Sequence, residues 1–387
     1  MTRLADHFVH TPLATARGRI ALVVVLAAQA AFASWAWWGW LHPLSNAPLL
    51  LLAIGFGLLG SGWTLLAVAF FARRRRAIWP VRWLAFAWAA AVAPACAAYC
   101  NSHSTMTLLT VGINEEFWKV TPLLIVAVFV PWAVRGTRDG LLLGALGGVG
   151  FNVIELAVYY IRSSYPKMGL FPGLDSQLSR LGLWGIDNHV VWSALVGAGI
   201  GHAIQTRSRR RWLIPLGTYL LAAITHMAQD FMLGAVLLVL IVTALTQVAT
   251  GGAPLTPKAA MQNDLSQRLL PTATGLEVIA INLVILPLLV LALVRSGRDE
   301  RRAIAAHLAG ESDAVVTPGE LADAAPLRRM HKRLIEAPAR KARKHIRRWQ
   351  DALAFRKEFL ARRGADPDGD ALVADYRARI AALRPAA

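Results

Sequence analysis

TMTLLTVGINEEFWKVTPLLIVAVFVPWAV, residues 105–134, is an apolar run with Asn114-Glu115-Glu116-Phe117-Trp118-Lys119 near its centre. It is long enough to cross a bilayer, which takes about 20 apolar helical residues. Two carboxylates and an ammonium therefore lie at membrane depth. An ionisable side chain at a bilayer centre costs ~2.5–3.5 kcal/mol on insertion scales, so such groups face a bundle interior and mark functional sites. The run predicts an all-α, polytopic integral membrane bundle with acid chemistry inside the bilayer.

The rest of the chain agrees. Of its 387 residues 56% are apolar and 17% charged, against about a quarter charged in soluble domains; mean hydropathy is +0.46. Charges crowd into Arg73–Arg76, Arg207–Arg211 and the region beyond Arg298. The net charge of +18 is then explained by basic cytoplasmic loops, and no nucleic-acid partner is expected. Cys96 and Cys100 are four residues apart, about 6 Å between Cβ atoms on a helix. That is too far for an undistorted disulfide, so they read as packing residues. The first apolar segment follows Arg17-Gly18-Arg19 and is long enough to span, as a signal anchor is.

Candidate spans are 20–41, 48–72, 80–100, 105–134, 139–161, 181–206, the tract 212–249 and 273–294. Residues 1–19 form a cytoplasmic N-terminus, 20–297 a transmembrane domain with a core at 80–235, and 298–387 a basic helical cytoplasmic tail. With the N-terminus inside, Arg73–Arg76, Arg135 with Arg138, and Arg207–Arg211 all become cytoplasmic. The tract 212–249 reads as one long span with a re-entrant piece, giving eight spans and both termini cytoplasmic; two joined spans would give nine. Tail segments such as 327–364 show helical spacing and read as a solvated amphipathic tail. Clusters such as Arg340 to Lys344 suit anionic headgroups. Asp366-Pro-Asp-Gly-Asp370 lacks the closing Glu of a calcium loop and reads as a turn.

Other polar groups interrupt the apolar helices. At 1.5 Å per residue, Glu116 lies ~16 Å below the outer face, Glu155 ~10 Å, His189 ~12 Å and His226 ~9 Å. Four groups on four helices thus share one layer, with carboxyl and imidazole groups expected within about 8 Å of one another. His202, ~20 Å deeper than His189, is left out. Glu115 and Lys119 stand i, i+4 and pair, while Glu116 points about 100° away toward Glu155 and the histidines. Asp230 sits one turn beyond His226. Such a set binds a divalent metal, or polarises water with a carboxylate while imidazoles stabilise an oxyanion. Gly140, Gly144 and Gly148, and Gly197 with Gly201, are spaced for close helix approach.

At these residues the chain resembles the PrsW family of integral-membrane proteases, relatives of the CAAX prenyl endopeptidases. The resemblance rests on Glu115-Glu116-Phe-Trp-Lys119, on Asp139-Gly140 with Gly150-Phe151-Asn-Val-Ile-Glu155, on His189-Val-Val-Trp-Ser193 through Gly201, and on His226-Met-Ala-Gln-Asp230. It covers roughly residues 80–235. It implies an intramembrane protease of a bacterial plasma membrane acting on a membrane-anchored protein, with anti-sigma factors as the best-known substrate type. Glu115, Glu116, Glu155, His189 and His226 would be catalytic, with Lys119 and Asp230 in support. The chain departs from the pattern at Leu156 and Asp230, where the family commonly has Asn. The relation to the CAAX enzymes favours metal-independent water activation by Glu116, over zinc held by Glu116, Glu155, His189 and His226. A proton-coupled transporter using the same groups as a relay, or an inactive scaffold, is the competing reading; no inverted repeat of the polar motifs supports a transporter.

Overall fold

The computed structural model describes residues 4–41, 47–72, 79–161, 188–206, 209–251, 256, 264–324 and 337–384. Among them the regular elements are helices, with no strand. Long apolar runs without water-facing stripes leave backbone groups nowhere to bond except within the helix. The helices are α1 (Ala16–Leu41), α2 (Ala47–Ala72), α3 (Trp79–Ala91), α4 (Ala93–Ser102), α5 (Thr107–Phe129) and α6 (Thr137–Tyr159). After them come α7 (Asn188–Gln205), α8 (Leu213–Asp230), α9 (Leu233–Ala249), α10 (Asp264–Leu308), α11 (Pro318–Ala324), α12 (Ala337–Arg362) and α13 (Ala371–Ala382). Among the described residues five spans are long and apolar enough to cross a membrane (α1, α2, α3 with α4, α6 and α10), or six if α8 with α9 counts as one bent span. α5, which carries three charges, and α7 are not among them, against the eight spans expected.

The span expected at 80–100 is present as Val81–Ser102, with Val92 alone dividing it into α3 and α4. Two other segments are bent or longer than the sequence suggests. The tract 212–249 breaks after Asp230 and bends by 51°; Met232 takes the left-handed φ of +47° that turns the chain. The span 273–294 lies inside α10, whose 45 residues extend ~67 Å. The expected tail boundary at 298 therefore falls within a continuous helix. Residues 181–187, from which the depth of His189 was counted, and 327–336 of the tail lie outside the described residues.

The bundle core is laid on α6, which packs along α7, α3 and α2. Glycine makes the α6–α7 contact close. A Cβ on Gly140 would stand 2.1 Å from the Gly197 carbonyl oxygen, one on Gly144 2.2 Å from that of Ser193, and one on Gly148 2.5 Å from that of His189. The contact reciprocates at Gly197, whose Cβ would lie 2.3 Å from the Gly140 oxygen. Lipid offers no hydrophobic drive for helices to associate, so backbone proximity of this kind supplies the packing. At the edge of the bundle, Trp37 on α1 donates from Nε1 to the Ala91 carbonyl at 2.6 Å, while Trp35 and Trp38 are exposed.

The C-terminal helices form a second core instead of a solvated tail. Leu353, Leu360, Val373 and Ile380 are wholly buried together with Leu308 at the end of α10. Asp370, expected only to make a turn, caps α13 by accepting from the Leu372 and Val373 amides. It also takes Arg356 in a two-pronged pair at 3.1 and 2.6 Å. Glu311 binds Lys357 at 2.7 Å and Arg377 at 2.8 Å. Arg343 and Lys344 stay exposed on α12.

Candidate active site

α5 enters the bundle centre with its charges paired on its own surface. Pro122 lacks the amide that would bond the Trp118 carbonyl, and the Thr121 hydroxyl donates to that oxygen instead. One turn earlier, the wholly buried Lys119 ammonium lies 3.3 Å from Glu115 Oε2 and 2.9 Å from Glu116 Oε1. This corrects the expectation that Lys119 takes Glu115 and leaves Glu116 free. Positions i−3 and i−4 are both surface neighbours of a lysine, and an ammonium has three hydrogens to give.

The remaining groups arrive from three other helices. His189, at the start of α7, faces Lys119 Nζ through Nδ1 at 2.6 Å and Glu155 of α6 through Nε2 at 2.8 Å. His226, near the end of α8 and wholly buried, sets Nδ1 3.1 Å from Glu116 Oε1. Its Nε2 lies 3.5 Å from Glu115 Oε2 and 3.3 Å from Asp230 Oδ2. The two imidazoles meet edge to face, with centroids 4.9 Å apart. Trp192 stacks on His226 at 4.2 Å, and the Phe151 ring lies 4.3 Å from Lys119 Nζ. Glu115, Glu116, Glu155, His189, His226, Lys119 and Asp230 thus form one connected cluster. His202 is elsewhere, at the far end of α7 with Thr206 at 3.2 Å.

Several polar members were not singled out from the sequence. Ser193 donates to Glu116 Oε2 at 3.4 Å; it follows His189 by four residues, and that spacing alone puts it on the same face. Asn101 on α4 donates to Glu115 Oε1 at 3.3 Å and accepts from Asn114 at 3.0 Å. Asn188 is held by Gln229 and by Asn282, the latter at 2.9 Å. Asn282 in the middle of an apolar span was the available signal. Asn101 gave none, because the α4–α5 contact is tertiary.

Exposure divides the carboxylates. Glu116 has no exposed side-chain surface, and its two oxygens face Lys119, His226 and Ser193. The Glu115 side chain is 11% exposed and that of Glu155 26%. Glu115 Oε2 and both ring nitrogens of His226 are buried without a well-formed hydrogen bond. Glu115, His189 and His226 each offer one ligand atom within 4.8 Å of the others, a two-nitrogen, one-oxygen set of the kind found at catalytic zinc. Glu116 stands beside His226 Nδ1 where a ligating histidine usually finds its carboxylate partner. The residues fit a divalent metal, with Glu115 in place of the Glu116 and Glu155 expected from the sequence. His189 would join by releasing either Lys119 or Glu155.

The model of one family, described as PrsW family intramembrane metalloprotease, matches residues 46–251. No curated protein and no solved structure matches the chain.

Proposed function

The chain belongs to the PrsW family of intramembrane metalloproteases, and from that premise we propose that it cleaves a peptide bond of a membrane-anchored protein, with anti-sigma factors as the candidate substrate class. The reading places both termini on the cytoplasmic side of a bacterial plasma membrane. There the exposed Arg343 and Lys344 of α12 lie near anionic headgroups. The observation that carries it is the gathering of two imidazoles, a lysine and four carboxylates from α5, α6, α7 and α8 into one buried cluster. Structure alone has little use for so many charges removed from water.

The contacts favour one division of roles. The Lys119 ammonium can only donate, so His189 Nδ1 accepts and the ring hydrogen sits on Nε2, 2.8 Å from Glu155. That close contact keeps Glu155, the most exposed acid of the α5–α6 trio, at the edge of the cluster that water can reach. Glu155 takes a proton from water as the oxygen bonds to the scissile carbonyl carbon. It then passes that proton to the departing amine as the C–N bond breaks. Lys119 places positive charge, and His226 a ring hydrogen, beside the developing oxyanion. Glu116, locked between Lys119, His226 and Ser193, is a positioning residue in this scheme, and the base role expected for it moves to Glu155. Zinc held by Glu115, His189 and His226 would add Lewis-acid polarisation and a more acidic water.

The test is cleavage of single-pass substrates by the full chain in proteoliposomes. Glu155→Gln should abolish turnover with folding intact. Glu116→Gln, which keeps the shape of the positioning contacts, should retain measurable turnover. Absence of cleavage for wild-type protein, together with proton-coupled uptake into the same liposomes, would overturn the assignment in favour of a carrier.

A further inference from the structure

At the end of the bundle opposite the carboxylate cluster, a cleft of about 330 Å³ lies between the C-terminal helices, the α5–α6 connection and the N-terminal turn Leu4–Phe8. Its size falls in the range of small-molecule sites. Its lining is both aromatic and cationic. Trp349 of α12 and Tyr376 of α13 stand 5.5 Å apart with their planes at 35°. The Arg379 guanidinium lies 4.8 Å from the Trp349 ring centre, and Arg135 lies 3.9 Å from that of Phe355. His7 closes the side facing Trp132, with ring centres 5.5 Å apart.

Among the described residues three guanidiniums line this cleft against one carboxylate, Asp375. They are not equally available. Arg356 is committed to Asp370 and is 5% exposed. Arg135 donates from Nε to Asp139 at 2.9 Å. Arg379 is paired only one turn back, to Asp375 at 2.7 Å, and its side chain is 39% exposed. A single i, i+4 helix pair contributes little, so a phosphate, which takes a guanidinium in a charge-assisted fork, competes for it. Aromatic faces next to it stack any nucleobase. We propose that this cleft binds a nucleotide, the base against Trp349 and Tyr376 and the phosphate on Arg379. The walls come from separate parts of the chain, so a bound nucleotide ties the C-terminal helices to the α5–α6 connection and raises their melting temperature.

The experiment uses the full chain in zwitterionic detergent. Titration calorimetry and thermal melting are run with the common ribonucleoside monophosphates and triphosphates, with adenosine and inorganic phosphate as half-ligands. The expected result is saturable binding of at least one nucleotide at roughly 100 μM or tighter. Each half-ligand should bind at least tenfold more weakly. Arg379→Ala should weaken nucleotide binding at least tenfold and remove the nucleotide-induced rise in melting temperature, whatever its effect on the unliganded protein. The proposal is overturned if no nucleotide binds below 1 mM, if phosphate alone binds as tightly, or if Arg379→Ala binds like wild type. Loss of nucleotide binding in phosphatidylglycerol nanodiscs also overturns it, by giving the cleft to a lipid headgroup.

Discussion

Gly144→Ala tests whether backbone contact between α6 and α7 sets the geometry of the cluster. The added Cβ would lie 2.2 Å from the Ser193 carbonyl oxygen and 3.1 Å from Gly197 Cα. Carbon and carbonyl oxygen settle at about 3.3–3.6 Å, so the helices must part by roughly 1.1 Å to admit it. Both atoms are backbone, and neither has a rotamer to turn away. Glu155 and His189 ride on these helices, three turns and one turn from the wedge. Rigid separation opens their 2.8 Å contact to about 3.9 Å, beyond hydrogen-bond reach. The expected cost is about 1–3 kcal/mol of stability, as for other overpacked cores. Turnover should fall about 100-fold, as for an ångström misplacement of reacting groups. The assay is cleavage of a single-pass substrate in proteoliposomes, with melting measured in detergent. Gly217→Ala, where a Cβ meets nothing within 4 Å, is the control and should be silent. Turnover of Gly144→Ala within threefold of wild type would refute the claim that this contact positions the acid.

Glu116→Ala and His226→Ala should each abolish cleavage while the helical far-UV signal is kept, whereas His202→Ala stays largely active. Equal loss in all three would mean that packing defects are being read as chemistry. Exhaustive chelation should remove activity, and stoichiometric Zn²⁺ should restore it to wild type but not to Glu115→Ala; chelator-resistant turnover rejects the metal-binding reading. In the C-terminal helices, partial burial by itself would raise Glu311, but the hydrogen bonds from Arg377 and Lys357 outweigh it and hold the carboxyl below its ordinary range. Glu320 is likewise held low by the Thr317 amide and Arg384 against its burial. A depressed carboxyl contributes its stability above its unfolded value, about 4.3, and loses it as pH falls through the folded one. Melting of these helices should be flat from pH 8 to about 5 and fall below that; Glu311→Gln should flatten the acid limb, and an unchanged limb contradicts the assignment.

Much of this was legible in the sequence because bilayers leave few options. Apolar runs had to be helices, and Glu115, Glu116, Glu155, His189 and His226 stood out as charge or imidazole where water is scarce. The glycine spacing on α6 and α7 also announced its purpose. What period and depth could not supply was choice among neighbours. Lys119 is within reach of two glutamates, and which it favours depends on Ser193 and His226 arriving from other helices to hold Glu116. Asn101 and Asn188 matter only because α4, α8 and α10 lie where they do. The tail showed helical spacing, yet its core requires Val373 and Ile380 to meet Leu308 from 65 residues or more away in sequence, a pairing that local pattern does not encode.

The pairing of Lys119 with Glu115 and Glu116 has a consequence for how the protein is made. α5 emerges from the ribosome long before His226 exists, more than 100 residues ahead of it. At that moment the helix must enter lipid carrying three ionisable groups, at ~2.5–3.5 kcal/mol each if they were isolated. Because i, i+3 and i, i+4 contacts are satisfied within a single helix, the lysine shields both acids without help from any later segment. The same residue that organises the finished cluster therefore also lowers the cost of placing α5 in lipid. A chain lacking it should stall at the translocon or be degraded before its chemistry can be assayed.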